Sequence, residues 1–198
     1  FSPGAEGSNG AIRLAQELNA ADPSLFMPYQ YGNPANPRAH EEETGPEILS
    51  AVPEIDLFVA GLGTGGTLTG VGRFLKRERP AVRTVAAEPL PGEQVQGLRS
   101  LEEGFVPPVL DTSVLDDRYL VSNGDALLGV RRLLREEGIF AGFSSGAALH
   151  VALRAAAEMD KGQVVVLLAD SGAKYLSTGI YDGDPEDLDE KLERSLLW

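Results

Sequence analysis

Leu57-Phe58-Val59-Ala60-Gly61-Leu62-Gly63-Thr64-Gly65-Gly66-Thr67, running on into Leu68-Thr69-Gly70-Val71-Gly72-Arg73-Phe74-Leu75-Lys76, is the stretch from which the fold can be read. A short apolar run of strand length gives way to a turn of glycine and threonine, after which Leu68, Val71 and Leu75 recur at helical spacing. The predicted unit is strand, loop, helix. Glycine lets the backbone bend tightly and come close to a ligand, and the free N–H groups of a helix start, helped by the macrodipole, favour an anion. Thr64 and Thr67 add hydroxyl donors, so a dianionic phosphate is the natural occupant.

The same loop has other readings. Gly61-x-Gly63-x-x-Gly66 spells the dinucleotide fingerprint, and Glu88 closes a strand predicted over Val82 to Glu88, about 20 residues on or a little more, where a ribose-binding acid is sought. That points to a nucleotide-dependent oxidoreductase. A glycine turn that only packs a helix on a sheet is the purely structural alternative.

The bulk composition narrows the partners. A chain of 198 residues suits one domain, or one domain and part of another. With 30 acidic against 17 basic residues the net charge is −13, which opposes nucleic acid and anionic membranes. Any anionic ligand must therefore be held by local groups. No cysteine is present, which excludes thiol catalysis, disulfides and cysteine-based metal sites. His40 and His150 are the only histidines, and His150 on an Ala-rich helical segment reads as a packing or surface residue. Without a membrane-spanning run or a signal peptide, the expectation is a cytoplasmic protein.

Upstream of the loop, Ser8 or Asn9 is placed to cap a helix from Gly10 to about Leu18, and Leu25 to Tyr31 reads as a strand. In Tyr29-Gln30-Tyr31-Gly32-Asn33-Pro34-Ala35-Asn36-Pro37 two X-Pro steps are expected to keep Asn33 and Asn36 out of helical geometry, as a stiff connector or a binding loop. Thr44-x-x-Glu47 with Pro46 predicts a capping box on a helix through Ala51. Downstream, Pro89 to Pro108 is irregular and contains Arg99. A strand at Tyr119 to Val121 and a helix from Asp125 to Glu137 follow. Phe143-Ser144-Ser145-Gly146 opens a small-residue helix to about Met159, and Gln163 to Leu168 reads as a buried parallel strand ending in Ala169-Asp170-Ser171-Gly172. In the acidic tail, Leu188, Leu192, Leu196 and Trp198 are spaced to line a final helix. Strands alternating with helices, without internal repeats, predict an α/β fold with a parallel sheet in the middle of three layers.

Six motifs in order now carry a likeness: Gln30-x-x-Asn33-Pro34-Ala35-Asn36-Pro37, Thr44-Gly45-Pro46-Glu47-Ile48, Gly63-Thr64-Gly65-Gly66-Thr67, Ala87-Glu88-Pro89, Gly138-Ile139-x-Ala141-Gly142-x-Ser144-Ser145-Gly146-Ala147 and Asp170-Ser171-Gly172-x-x-Tyr175-Leu176-Ser177-Thr178. Together they resemble the cysteine synthase (O-acetylserine sulfhydrylase) family of tryptophan synthase β-like, fold type II pyridoxal-phosphate enzymes, over essentially the whole chain. The resemblance implies two α/β domains with the cofactor between them, residues 1–22 finishing the smaller domain and 23–198 forming most of the larger. It implies that Gly63, Thr64, Gly65, Gly66 and Thr67 hold the cofactor phosphate, that Ser144 faces the pyridine nitrogen with Ser171 as its rival, and that Gln30 binds the substrate carboxylate. A neutral hydroxyl at the ring nitrogen makes a weaker electron sink than a protonated ring and favours β-elimination. The implied reaction replaces the leaving group of an activated serine with sulfur to give L-cysteine, in an enzyme that is usually a homodimer.

Two departures from the family pattern matter. Arg99 stands where common members carry a shorter, glycine-containing segment, and a guanidinium there offers a bidentate partner for a phosphate. This suggests O-phosphoserine as substrate, as in the branch supplied by a thiocarboxylated sulfur-carrier protein. A surface Arg99 paired with Glu102 or Glu103 is the alternative. The Schiff-base lysine of the family lies in an Asn-x-x-Ser-x-Lys-Asp-Arg context, and none of Lys76, Lys161, Lys174 or Lys191 stands in one. The chain opens on Phe1, so the expectation is the carboxyl-terminal portion of an enzyme, without a catalytic residue of its own and inactive alone; a non-catalytic binding module is the rival.

Overall fold

The computed structural model describes residues 7–93 and 95–183. Four parallel strands form one sheet: β1 (Ile55–Gly61), β2 (Arg83–Pro89), β3 (Asp117–Val121) and β4 (Gln163–Val166), in the order β3-β2-β1-β4. The chain steps outward from β1 through β2 to β3, then returns to place β4 on the other side of β1. That reversal makes the carboxyl ends of β1 and β4 a topological switch point, the place where open α/β sheets bind ligands.

Burial divides β1 between two cores. Leu57 and Val59 face the layer of α5 (Asn123–Glu137) and α6 (Phe143–Ala156), meeting Leu127, Val130, Phe143 and Val151. Phe58 and Ala60 face α4 (Gly66–Glu78), meeting Leu68, Val71 and Leu75, with Ile48 and Leu49 of α3 (Gly45–Ala51) packed alongside. A strand buried on both faces has no polar side to alternate with, which is why it reads as a continuous apolar run. Helices on both faces of a parallel sheet give the three layers that the alternation predicts.

Helices α5 and α6 cross at two glycines. A Cβ on Gly129 would lie 2.2 Å from the Gly146 carbonyl oxygen, and one on Gly146 would lie 2.0 Å from that of Ala126. This backbone contact sets the position of the α6 start, and with it Ser144.

Several expectations change. α1 spans Gly7–Ala21, so Ser8 and Asn9 lie inside the helix rather than at its cap. Residues 25–31 form no strand. No neighbouring strand is present for them among the described residues, and Phe26 stands 86% exposed; β propensity without a pairing partner does not make a strand. Asn36 is helical despite preceding Pro37, because α2 (Ala35–Ala39) places both in its first turn, where a missing N–H costs nothing. α2 passes through a π-helical turn (His40–Thr44) directly into α3, with Thr44 itself in helical geometry and no side-chain cap. The predicted capping box does not form because a continuing helix has no orphan N–H groups to cap. Finally β4 is shorter than predicted, and its valines are only partly buried, because it is an edge of the sheet among the described residues. The predicted helix over 184–198 lies outside the described residues.

Candidate active site

At the carboxyl end of β1 the backbone turns through Gly65, whose φ of +81° is the left-handed conformation that glycine adopts without strain. α4 then starts with no side-chain cap. The Gly66 N–H reaches the Thr64 hydroxyl at 3.2 Å, while the N–H groups of Thr67 and Leu68 meet no protein acceptor among the described residues. A helix start built this way presents donors to an anion.

Both threonines of the loop are gripped from the α2–α3 segment. Asn36 Nδ2 donates to the Gln30 carbonyl at 2.8 Å and to the Thr64 hydroxyl at 3.1 Å. Thr67 Oγ1 lies 3.1 Å from His40 Nε2, and His40 Nδ1 lies 3.0 Å from Thr44 Oγ1. Burial pushes the His40 imidazole below its ordinary pKa. The glycines here are filled positions: a Cβ on Gly66 would fall 1.9 Å from Asn36 Oδ1, and one on Gly63 would fall 2.7 Å from the Gly97 carbonyl oxygen. Tyr29, immediately before Gln30, holds φ at +45°, a strained conformation for a bulky residue beside a site.

Ser144, the second residue of α6, is 6% exposed, and its hydroxyl makes no hydrogen bond among the described residues. Its Oγ lies 3.5 Å from where a Cβ on Gly97 would stand. Gly97 thus touches Gly63 on one side and Ser144 on the other, so a single loop residue separates the glycine loop from the serine. Ser171 reaches the same corner through a bridge to Ala141 and the paired bonds of Gly142 N–H to Asp170 O and Gly172 N–H to Phe140 O. Its hydroxyl already accepts the Ala173 N–H at 3.3 Å as the cap of a 3-10 turn over Gly172–Thr178. As an acceptor there, Ser171 keeps its own hydroxyl hydrogen, so both serines retain a donor.

Arg99 is 5% exposed, so the surface alternative for it does not hold. Its backbone N–H bonds the Leu62 carbonyl at 2.7 Å, its guanidinium lies 5.2 Å from the Tyr31 ring centroid and 4.7 Å from that of Phe105, and Nη1 donates to Asn9 Oδ1 at 2.7 Å. Stacking on two aromatic faces holds the planar cation in place, while the Arg99 backbone amide adjoins the loop. Gln30 is exposed, two hydrogen bonds from Thr64 through Asn36.

Glu88 is fully buried and serves another purpose than ribose binding. Oε1 accepts the Leu101 N–H at 2.6 Å and the Ser100 hydroxyl at 3.3 Å, and Oε2 accepts Arg118 Nη1 at 2.9 Å. Both oxygens are spent on the segment that follows Arg99 and on β3, which removes the acid the dinucleotide reading requires. A cavity of about 440 Å³ beside β3, lined by Glu102, Asp116, Asp117 and Arg118, includes neither the glycine loop nor the serines.

Uncapped N–H groups and two threonine hydroxyls, with a buried serine hydroxyl one loop residue away, fit a small phosphorylated pyridine. The family described as "Pyridoxal-phosphate dependent enzyme" matches residues 4–170, and the chain belongs to it. Cysteine synthases of Staphylococcus aureus strains Mu50 and N315 are each 45% identical over 194 residues, covering 93% of this chain and 62% of theirs. The chain therefore spans under two thirds of these curated relatives. Among solved structures, O-ureido-L-serine synthase superposes with a TM-score of 0.82 at 44% identity, covering 91% of this chain and 60% of its own. A lysine-to-alanine mutant of that enzyme bound to O-ureido-L-serine also gives 0.82.

Sequence reasoning singled out neither His40 nor Gly97, and it carried Asn36 only as part of a motif. His40 and Thr44 stand four apart, the one local signal of their pairing. The contact of Thr67 with His40 spans 27 positions and has no such signal.

Proposed function

We propose that this chain is the cofactor-binding part of a pyridoxal-phosphate-dependent cysteine synthase that replaces the leaving group of an activated L-serine with sulfur. The observation that carries the reading is the meeting, at one switch point, of an uncapped glycine-threonine helix start and a buried serine hydroxyl with a single loop residue between them. The N–H groups and hydroxyls of Gly63 to Thr67 would hold the phosphate, and Ser144 would hydrogen-bond the ring nitrogen. Bound there, the cofactor supplies an electron sink for loss of the α-proton and of the β-substituent. The neutral Ser144 hydroxyl orients the ring without fixing a proton on it, which suits elimination. Gln30 would bind the substrate carboxylate.

Arg99 supports O-phosphoserine as the substrate. A guanidinium fixed between two rings, on the backbone hydrogen-bonded to Leu62, is a preorganised partner for a departing phosphate. A thiocarboxylated carrier protein as sulfur donor, a homodimer and a cytoplasmic location complete the proposal. The described lysines argue that turnover belongs to a protein supplying the family's lysine: Lys76 is bound by Asp116 at 2.7 Å, the exposed Lys174 by Asp170 at 3.1 Å, and Lys161 is exposed in the turn before β4. Rates with O-phosphoserine and O-acetylserine, compared between the full-length enzyme and its Arg99→Ala variant, test the substrate. The ratio is expected to fall about tenfold or more, the worth of one charge-assisted pair; an unchanged ratio refutes it.

A further inference from the structure

His40 stands between two hydroxyls and outside the loop it touches. Its two ring nitrogens lie 3.1 Å from Thr67 Oγ1 and 3.0 Å from Thr44 Oγ1. A neutral imidazole has one N–H and one lone pair, so the two contacts cannot have the same sense. If Nδ1 carries the proton, Nε2 accepts the single hydroxyl hydrogen of Thr67, and that hydroxyl has none left for a ligand. If Nε2 carries it, Thr67 accepts from the ring and its own hydrogen is free to point into the loop, while Nδ1 accepts from Thr44. Only the second arrangement makes Thr67 a donor to an anion.

The backbone that carries the imidazole is also packed from behind. A Cβ on Gly70 would lie 2.1 Å from the Pro37 carbonyl oxygen, 2.7 Å from His40 Cβ and 2.8 Å from the Glu41 nitrogen, so α4 lies flush on the segment that carries the ring. The carboxylates of the same turn point elsewhere in function: Glu41 is paired with Arg77 at 2.7 Å, and Glu42 and Glu43 are exposed. Burial lowers the His40 pKa, which keeps the ring neutral at neutral pH and the one-donor, one-acceptor logic in force.

We propose that His40 is a positioning residue for the phosphate loop: as the Nε2–H tautomer, with Thr44 donating to Nδ1, it turns the Thr67 hydroxyl hydrogen toward the cofactor phosphate. This rests on the reading that Gly63 to Thr67 bind that phosphate. The role is indirect, since the ring touches the threonine and not the ligand.

The test titrates apoprotein with pyridoxal phosphate and, separately, with pyridoxal. His40→Ala is expected to weaken pyridoxal phosphate about tenfold, the worth of one charge-assisted hydrogen bond, and to leave pyridoxal unchanged. His40→Gln, whose side-chain amide can donate from near the Nε2 position, is expected to recover most of the loss. A role in folding alone would weaken both ligands alike. Long-range proton–nitrogen spectra read the tautomer directly, with the signal that is lost in His40→Gln assigned to His40. The expected result with pyridoxal phosphate bound is Nε2–H. An Nδ1–H ring in the loaded protein, or an Ala variant with wild-type affinity alongside a weakened Thr67→Val, overturns the proposal. If Thr67→Val and His40→Ala both bind pyridoxal phosphate as the wild type does, the loop reading fails first and takes this proposal with it.

Discussion

Removing the Glu88 carboxylate is expected to cost stability and substrate selectivity together. Glu88 has no exposed surface, and its oxygens take the Leu101 N–H at 2.6 Å, the Ser100 hydroxyl at 3.3 Å and Arg118 at 2.9 Å. Alanine leaves the Leu101 N–H without its charged acceptor, worth roughly 1.5–3 kcal/mol. The Arg118 side chain is 42% exposed and regains water when its partner goes, so that pair adds no more than about 1 kcal/mol. The expected total for Glu88→Ala is about 3 kcal/mol. Glu88→Gln keeps an oxygen for the Leu101 N–H and should cost only about 1 kcal/mol. Since Ser100 and Leu101 adjoin Arg99, loosening them frees the Arg99 backbone from Leu62 and with it the seat of the guanidinium on Tyr31 and Phe105. The preference for O-phosphoserine over O-acetylserine should therefore shrink in the alanine variant more than the O-acetylserine rate does. Urea unfolding gives the first quantity and paired initial rates give the second. An alanine variant within about 0.5 kcal/mol of wild type would refute the anchoring argument; a destabilised variant with an unchanged substrate ratio would refute its link to Arg99.

Three other perturbations have definite signs. Gly146→Ala drives a Cβ to within 2.0 Å of the Ala126 carbonyl oxygen and 2.5 Å of the Val130 nitrogen, both backbone atoms. The overpacking costs about 1–3 kcal/mol or more and outweighs the roughly 1 kcal/mol that alanine gains in a helix, so thermal melting should show a lower midpoint. Gly66→Ala must push Asn36 off Thr64 and the Gln30 carbonyl, and equilibrium titration should show pyridoxal phosphate affinity reduced about tenfold or more. The His40 pKa lies below its ordinary value of 6.5 because of burial, with Glu41, Glu42 and Glu43 on its own turn and Thr67 opposite. The unfolded chain therefore binds a proton that the folded chain does not. The stability contributed by this group is complete above about pH 6.5 and declines as pH falls from there toward the folded value. Urea midpoints between pH 7.5 and 5.5 should fall less steeply in His40→Gln than in wild type.

Much of this site could be read from local spacing. Apolar runs of strand length, the helical recurrence of Leu68, Val71 and Leu75, and the Gly-Thr-Gly-Gly-Thr loop all express constraints that act within a few residues, and each holds in three dimensions. Local reasoning failed where a signal needed a distant partner to take effect. Leu25 to Tyr31 has the residues of a strand but no strand beside it among the described residues. Thr44 and Glu47 have the spacing of a cap, but the chain is already helical when it reaches them.

By itself the sequence determined the alternation of strand and helix, the glycine-threonine turn between β1 and α4 and the presence of two candidate serines, since periodicity and backbone freedom are properties of neighbouring residues. Tertiary structure alone decided the uses of those groups. Folding spent Glu88 on the Arg99 loop, made Ser171 the acceptor of the Ala173 N–H, set Ser144 beside Gly97 and placed His40 against Thr67. Each of those outcomes depends on which partner arrives from 12 to 47 positions away, or from a local turn whose shape the sheet imposes, and no local pattern encodes that arrival.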